Sequence, residues 1–532
     1  MNILVPTVRF AIVAWLVVVA GFVGPKRAFS APAGAEVFAD GSLLRLRIDI
    51  AAPELDSLRK EPRTYVRASL TMGTAVLRDV GVHLKGRTGS YRTLDDKPAF
   101  TLDFDRFVPG QRFHGLSQVH LNNSVEDPSY LHEKLGAALF HSAGVPAPRV
   151  SHAVVDLNGR RLGLYVLKEG FAPEFLAQHF SRTDGNLFEP ELGPGADVNG
   201  PMRRVSGTGV VDGSDLRRLA DAVAMPDVSA RWNAFAGVLD RERFVSFMVM
   251  ELLSGHRDGY CLAKNNFRIY HDPTTSHLVF LPAGMDQLFG RAEFPLRPRM
   301  TGLIAHAVLE TSEGRLAFRE RLAELFTNSF RVVALTNQVR RWAGGLTPHF
   351  SRAEGRVLWR ESEQLCERIE RRVLEVTRQL ALPEPAPLEF TGDAARLNDW
   401  RAANPPQGGK LDLVSSDGRA SLHIQAGPKT SAFWRTKVWL APGRYVFEAR
   451  ARAAGVKPLP LGRLNGVYLS VPGQGGQGGA PLLENRDWTV LKIEFDLAQE
   501  ERELELQCNL RARAGEAWFE SDSLRLVRVP PR

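Results

Sequence analysis

Cysteine is scarce in this chain. Cys261, Cys366 and Cys508 are the three cysteines among 532 residues. They form no Cys-x-x-Cys pair and have no matching His spacing, which argues against a disulfide framework and a structural zinc motif. Long apolar runs are equally scarce. The one notable stretch, residues 10–23, is short for a membrane span. It follows Arg9 and precedes Gly24-Pro25, Lys26-Arg27 and the small-x-small site Ala28-Phe29-Ser30-Ala31. It therefore reads as a cleaved export signal over residues 1–30, with an uncleaved anchor as the alternative. No cysteine follows it closely, so a lipoprotein anchor is not expected. Runs of basic residues are lacking too. The net charge is +8, yet Lys and Arg are scattered, and between Arg315 and Arg378 they interleave with Glu as on solvated helix faces. That distribution gives no support to a nucleic-acid partner.

What is present is an ordinary globular balance, 44% hydrophobic and 24% charged, in a chain too long for a single core. Residues 40–380 read as one mixed body. Period-2 patterns predict strands at 43–50, 80–84 and 99–104. Asp127-Pro128-Ser129-Tyr130 opens a helix, and Asn158-Gly159 between alternating runs marks a hairpin. A loop-rich insertion over 185–213 precedes helices at 216–223 and 241–253. Further helices run from 302 to 380, with Trp342 and Trp359 packed inside. A Pro-rich linker at 381–387 then leads to residues 388–532, where short alternating runs at 421–425, 445–449, 490–495, 504–508 and 523–527 predict a β-sandwich. The fold class is α+β.

The chemistry gathers between His256 and Gly290. His256-Arg257-Asp258 is followed by Asn265-Asn266, a hairpin over 267–281, and Asp286-Gln287-Leu288-Phe289-Gly290. A phosphoryl-transfer site needs one carboxylate to take or orient the acceptor's proton. It also needs an amide oxygen and a second carboxylate to hold a divalent cation against the phosphates. An antiparallel hairpin brings Asn265 or Asn266, at its start, beside Asp286, just past its end. The spacing departs from the usual protein-kinase pattern, because the position five residues after Asp258 is Ala263.

Several ordered blocks over roughly residues 75–295 resemble the CotH kinase family of secreted atypical kinases. They include Val82-His83-Leu84-Lys85-Gly86, Lys97-Pro98-Ala99-Phe100, Leu121-Asn122-Asn123, His132-Glu133-Lys134-Leu135, Gly144-Val145-Pro146-Ala147-Pro148-Arg149, Asp258-Gly259-Tyr260 and Asn265-Asn266-Phe267. The resemblance implies a two-lobed, atypical protein-kinase-like domain over residues 40–380. Asp258 would be its catalytic carboxylate, Asp286 a Mg²⁺ or Mn²⁺ ligand, and Asn265 or Asn266 the second ligand. Lys85 and Lys97 are both candidates for the lysine on the ATP phosphates, Glu133 is its candidate partner, and Glu169 would pass near the adenine. In the family a Trp often precedes the metal-binding Asp, whereas this chain has Pro282-Ala283-Gly284.

The resulting expectation is an exported kinase that transfers the γ-phosphate of ATP to Ser/Thr of an envelope or extracellular protein. The alternatives are an inactive pseudokinase and a carbohydrate-anchored surface module. The predicted sandwich is jelly-roll-like in outline and carries Trp434, Tyr445, Tyr468, Trp488 and Trp518. These rings either fill its core, the favoured reading, or form a platform for glycan contact.

Overall fold

A computed structural model describes residues 31–530, apart from positions 88, 192–194, 210–212, 383–386, 417–418, 461–463, 475–476 and 498–501. The expected signal segment and most of the expected linker lie outside the described residues. The first part of the fold is a closed barrel. Its strands are β1 (Leu43–Ile50), β2 (Val66–Met72), β3 (Ala75–Lys85), β4 (Ala99–Asp103), β5 (Gln118–Asn122), β6 (Val150–Leu157) and β7 (Arg160–Glu169). Their order around the barrel is β1-β2-β3-β4-β5-β7-β6, and β1 runs parallel to β6 to close it.

Alternation explains the closure. Leu46, Ile48, Val66, Leu70, Val82, Leu84, Phe100, Leu102, Val119, Leu121, Tyr165 and Leu167 all enter one buried cluster. The β6–β7 turn has Asn158 and Gly159 at φ +49° and +79°, the left-handed pair that a two-residue hairpin requires. The Asn158 side chain then bonds both the N–H and the carbonyl of Ile50 at 2.7 Å, tying the hairpin to β1.

Two helices border the barrel, α1 (Ala52–Lys60) and α2 (His132–Ser142). The expected helix start at Asp127 is instead a turn. One Asp127 carboxylate oxygen accepts from the Ser129 N–H at 3.0 Å and the other from the His132 N–H at 2.9 Å, so the helix begins at His132. Beyond the barrel come α3 (Pro173–His179), β8 (Leu187–Pro190), β9 (Met202–Ser206), α4 (Ser214–Ala224), α5 (Val228–Ala236), α6 (Arg241–Leu253) and α7 (Tyr260–Ala263). The hairpin β10 (Phe267–Asp272) and β11 (His277–Pro282) follows, then α8 (Leu303–Glu310), α9 (Ser312–Ser329), α10 (Val332–Leu346) and α11 (Arg352–Leu380).

Helix α6 is buried nearly all round, which its continuous apolar sequence requires, and Phe244, Phe247, Met248 and Leu252 sit in the helical core. Trp342 is buried, as expected. Trp359, expected inside, is not: it lies on the exposed face of α11 at 41% exposure, because the helix turns its neighbour Leu358 inward instead. Among the described residues no helix is long and apolar enough to cross a membrane.

Among the described residues, every regular element from Ala394 onward is a strand, apart from one short 3-10 turn. The strands form two antiparallel sheets that share one apolar core. Trp434 and Tyr445 are part of that core. Trp518 is half-buried on a sheet face, with His423 stacked 5.0 Å from its ring and Arg452 5.3 Å away.

Candidate active site

A cleft of 1910 Å³ opens between the rim of the barrel and the β10–β11 hairpin with its flanking loops. Lys85, Glu133, Asp258, Asn265, Asn266 and Asp286 all line it. The hairpin register pairs Phe267 with Pro282, which carries the segments on either side of it to one end of the hairpin. Asn266 adopts φ +50°. A side chain at Gly284 would come within 2.7 Å of the Asn266 Oδ1, so glycine is what lets the two segments approach. This accounts for a small residue where the resemblance suggested a Trp.

One Asp258 oxygen accepts from the amides of Asn265 at 3.0 Å and Asn266 at 2.7 Å. Both asparagines thus spend their N–H groups on Asp258 and turn their amide oxygens away from it. The loop is anchored from behind by Glu251 of α6. Its carboxylate accepts from the N–H groups of Tyr260 and Cys261, each at 2.8 Å, at the start of α7. Burial pushes the Glu251 carboxyl up to about 7. His256 is buried with neither ring nitrogen hydrogen-bonded, and burial brings it down to about 4, so it packs as a neutral ring.

Asp286 is the opposite of a satisfied carboxylate. Burial raises it to about 7, and the charges of Glu133 and Glu126 push the same way. No other side chain donates to it among the described residues. Its backbone carbonyl is held by the His132 Nδ1 at 2.9 Å, and the Nε2 of that ring accepts from Arg368 of α11 at 3.1 Å.

The lysine facing Glu133 is Lys168, at 2.8 Å, with both side chains buried. Lys85 donates to the Asn122 Oδ1 at 2.7 Å, and the Asn122 amide reaches Glu133 at 3.3 Å. Burial, reinforced by the charge of Lys168, lowers Lys85 to about 7.

Two expected residues lie elsewhere. Lys97 is absent from the cleft lining; it donates to the Tyr130 hydroxyl at 2.6 Å and lies over the rings of Tyr130 and Tyr165. Glu169 is buried against Arg149 at 2.6 Å and Gln178 at 2.9 Å, and it too is absent from the lining. The reason is strand alternation. His120 pairs with Lys168 and Val119 with Glu169, so the two neighbours face opposite sides and only Lys168 meets the cleft.

Lys168, Glu251 and Arg372 are the residues that sequence reasoning missed. Arg372 of α11 is fully buried and donates to the carbonyls of Leu252, Leu253, Ala292 and Phe294. It thereby joins the end of α6, before Asp258, to the segment after Asp286. Each is a charged residue inside an apolar pattern, and that was the available signal.

A barrel and a helical body that share a cleft with a buried Lys–Glu pair and two further carboxylates make a kinase-like protein. The family model described as CotH kinase protein matches residues 82–372, more than half of the chain, and the chain belongs to that family. Curated relatives include invasin CotH2 of Rhizopus delemar, 25% identical over 43% of this chain and 44% of that protein. Inner spore coat protein H of Bacillus subtilis is 21% identical over 50% of this chain and 79% of that protein. The chain thus spans less than half the length of the invasin. Among solved structures, a Helicobacter pylori proinflammatory kinase, CtkA, is 7% identical over 55% of this chain and 96% of its own, with a TM-score of 0.24. A carbohydrate-binding module, TmCBM61, solved with β-1,4-galactotriose, is 16% identical over 25% and 91%, with a TM-score of 0.19. Scores this low carry no argument about function.

Proposed function

We propose that this protein is an exported atypical protein kinase that transfers the γ-phosphate of ATP to a Ser or Thr hydroxyl of an envelope or extracellular protein. The observation that carries the reading is the Lys168–Glu133 pair at 2.8 Å, lining the same cleft as Asp258 and Asp286. Lys168 and Lys85 are the cations for the phosphates. Asp258 takes or orients the proton of the attacking hydroxyl as the bond from phosphorus to ADP breaks.

The residues present fit a divalent cation. Asp286 is a buried carboxylate crowded by other carboxylates, and the amide oxygen of Asn265 accepts no hydrogen bond among the described residues. That suits Mg²⁺ or Mn²⁺, which takes one or two carboxylates and completes its shell with phosphate and water. When bound, the ion would neutralise the phosphates. Export is supported by the apolar N-terminal run and by relatives named for a spore coat and for invasion.

The test is incubation of the purified protein and an acceptor with γ-labelled and, separately, α-labelled ATP plus Mg²⁺ or Mn²⁺. Transfer of the γ label alone is expected. Transfer of the α label would mean nucleotidyl transfer. Equal γ labelling by Asp258→Ala and Asp286→Ala would refute the reading.

A further inference from the structure

A second depression, of 940 Å³, lies at the N-terminal end of α11. Its apolar wall is Pro348, Phe350, Val357 and Trp359, with Val357 46% and Trp359 41% exposed. Arg352, Arg356 and Arg360 also line it, and no carboxylate does.

Folding alone does not favour this arrangement. The three arginines recur every four residues, so like charges stack along one helix face. Arg352 stands at the first helical position, where the helix dipole disfavours a cation. Arg352 and Arg356 make no ion pair among the described residues, whereas Arg360 is paired with Glu361 at 2.7 Å. The nearby Glu354 carboxylate is turned back to the Ser351 N–H at 3.0 Å in the capping box. An exposed Trp–Val patch beside unpaired cations is a surface shaped for a partner.

The same helix leads into the catalytic cleft, because Glu361 and Arg368 line that cleft. Arg257 and Arg291, next to Asp258 and Gly290, line it as well and form no ion pair among the described residues. From Arg356 to Arg368 the helix rises about 18 Å, which an extended chain of about six residues would span.

We propose that the groove docks the acceptor protein through a segment that is acidic and carries apolar anchors. The anchors seat on Trp359 and Val357, the carboxylates meet Arg352 and Arg356, and the acceptor hydroxyl follows toward Asp258 past Arg368. The proposal rests on the kinase reading for what happens in the cleft, but docking itself can be measured without catalysis.

The probe is a fluorescent peptide of Asp and Glu with two Leu near one end and a Ser about six residues beyond. A matched peptide has Lys in place of every acid. Binding is read by anisotropy and phosphate incorporation is read separately. Full-length parent, the double variant Arg352→Glu/Arg356→Glu and Trp359→Ala are compared, with melting curves to verify folding and Arg356→Lys as the conservative control.

The acidic peptide should bind the parent and Arg356→Lys alike. It should bind the double variant and Trp359→Ala about tenfold or more weakly, with the loss appearing in KM rather than kcat. If the acidic peptide binds in this way but takes up no phosphate, docking stands and the kinase reading falls. If phosphate reaches either peptide regardless of Arg352, Arg356 and Trp359, the kinase reading stands and docking is overturned. Self-association of the parent that Trp359→Ala abolishes and the peptide does not disturb would assign the groove to a second copy, which also overturns the proposal.

Discussion

The cleft and the C-terminal sheets handle charge in opposite ways. On the sheets, carboxylates are paired across strands. Glu448 meets both Lys492 and Arg525, Glu520 meets Arg419 and Arg450, and His423 lies between Asp412 at 2.6 Å and Glu516 at 2.8 Å. In the cleft, Lys85 has a neutral amide as its partner, and Asp286 is crowded by like charges and has no side-chain donor among the described residues. Glu448, Glu520 and His423 are buried, yet each has its charged partners in place, which offsets the cost of taking it out of water. Charges buried with incomplete partners are expensive and persist where a ligand completes them. On the proposed reading, nucleotide phosphates and a cation would complete the charges of the cleft.

The comparison breaks first at the carboxylates. Asp258→Asn keeps the shape of the loop and removes the proton acceptor, so γ-label transfer should fall by about 10² to 10⁴-fold. Asp286→Asn should abolish labelling to a similar extent. It should also raise the melting temperature in metal-free buffer, because it relieves repulsion from Glu133 and Glu126. A lower melting temperature would contradict the account of Asp286 as uncompensated. Next in size is Arg372→Met. It strands four buried carbonyls and should cost about 3–5 kcal/mol in chemical denaturation. No comparable loss is expected from an exposed sandwich cation such as Lys437, where Lys437→Met should stay within about 0.5 kcal/mol.

A subtler effect comes from Lys85. Burial holds its ammonium at about 7, far below the ordinary lysine value of 10.5. Phosphates placed beside it would favour the charged form, so nucleotide binding takes up a proton once the free cleft has lost it. In the Asp286→Asn background, where that carboxyl no longer titrates over the same range, affinity for an ATP analogue should therefore be flat below pH 7 and fall above it, by up to about tenfold per pH unit. Lys85→Met should bind more weakly at pH 6 and show a flatter profile. An unchanged profile would remove Lys85 from the phosphate site.

Local features were legible in the sequence and long-range ones were not. Asn158-Gly159 specifies its own turn through two left-handed residues, and the 267–282 hairpin is visible in its alternation. Which lysine meets Glu133 depends instead on β5 pairing with β7 across the closed barrel, a register set by residues about 50 positions apart and invisible to a short window. Lys97 and Lys168 look alike as isolated residues. Only barrel closure sends one to Tyr130 and Tyr165 and the other to Glu133. Trp359 misled because its size suggested burial, while the amphipathic period of α11 buries Leu358 and leaves its neighbour outside. On the sandwich, ring identity alone could not separate core from surface. Trp434 and Tyr445 are core, and Trp518 is occupied by His423 and Arg452.

The smallest effect is expected at Trp488. It is half-buried, with Arg450 5.8 Å from its ring and no place in the apolar core. Trp488→Ala should change stability by no more than about 0.5 kcal/mol and leave γ-label transfer to the acidic peptide unaltered. Trp434→Ala, by contrast, empties a buried site and removes the donor to the His423 carbonyl at 3.1 Å, for a cost of about 3–5 kcal/mol. If the cleft and the sheets are as distinct as their charge patterns indicate, Trp434→Ala should unfold the C-terminal strands at lower denaturant while nucleotide affinity stays at the parent value. A matched loss of affinity would mean that the cleft depends on the sandwich, and the contrast between the two regions would then describe one cooperative unit.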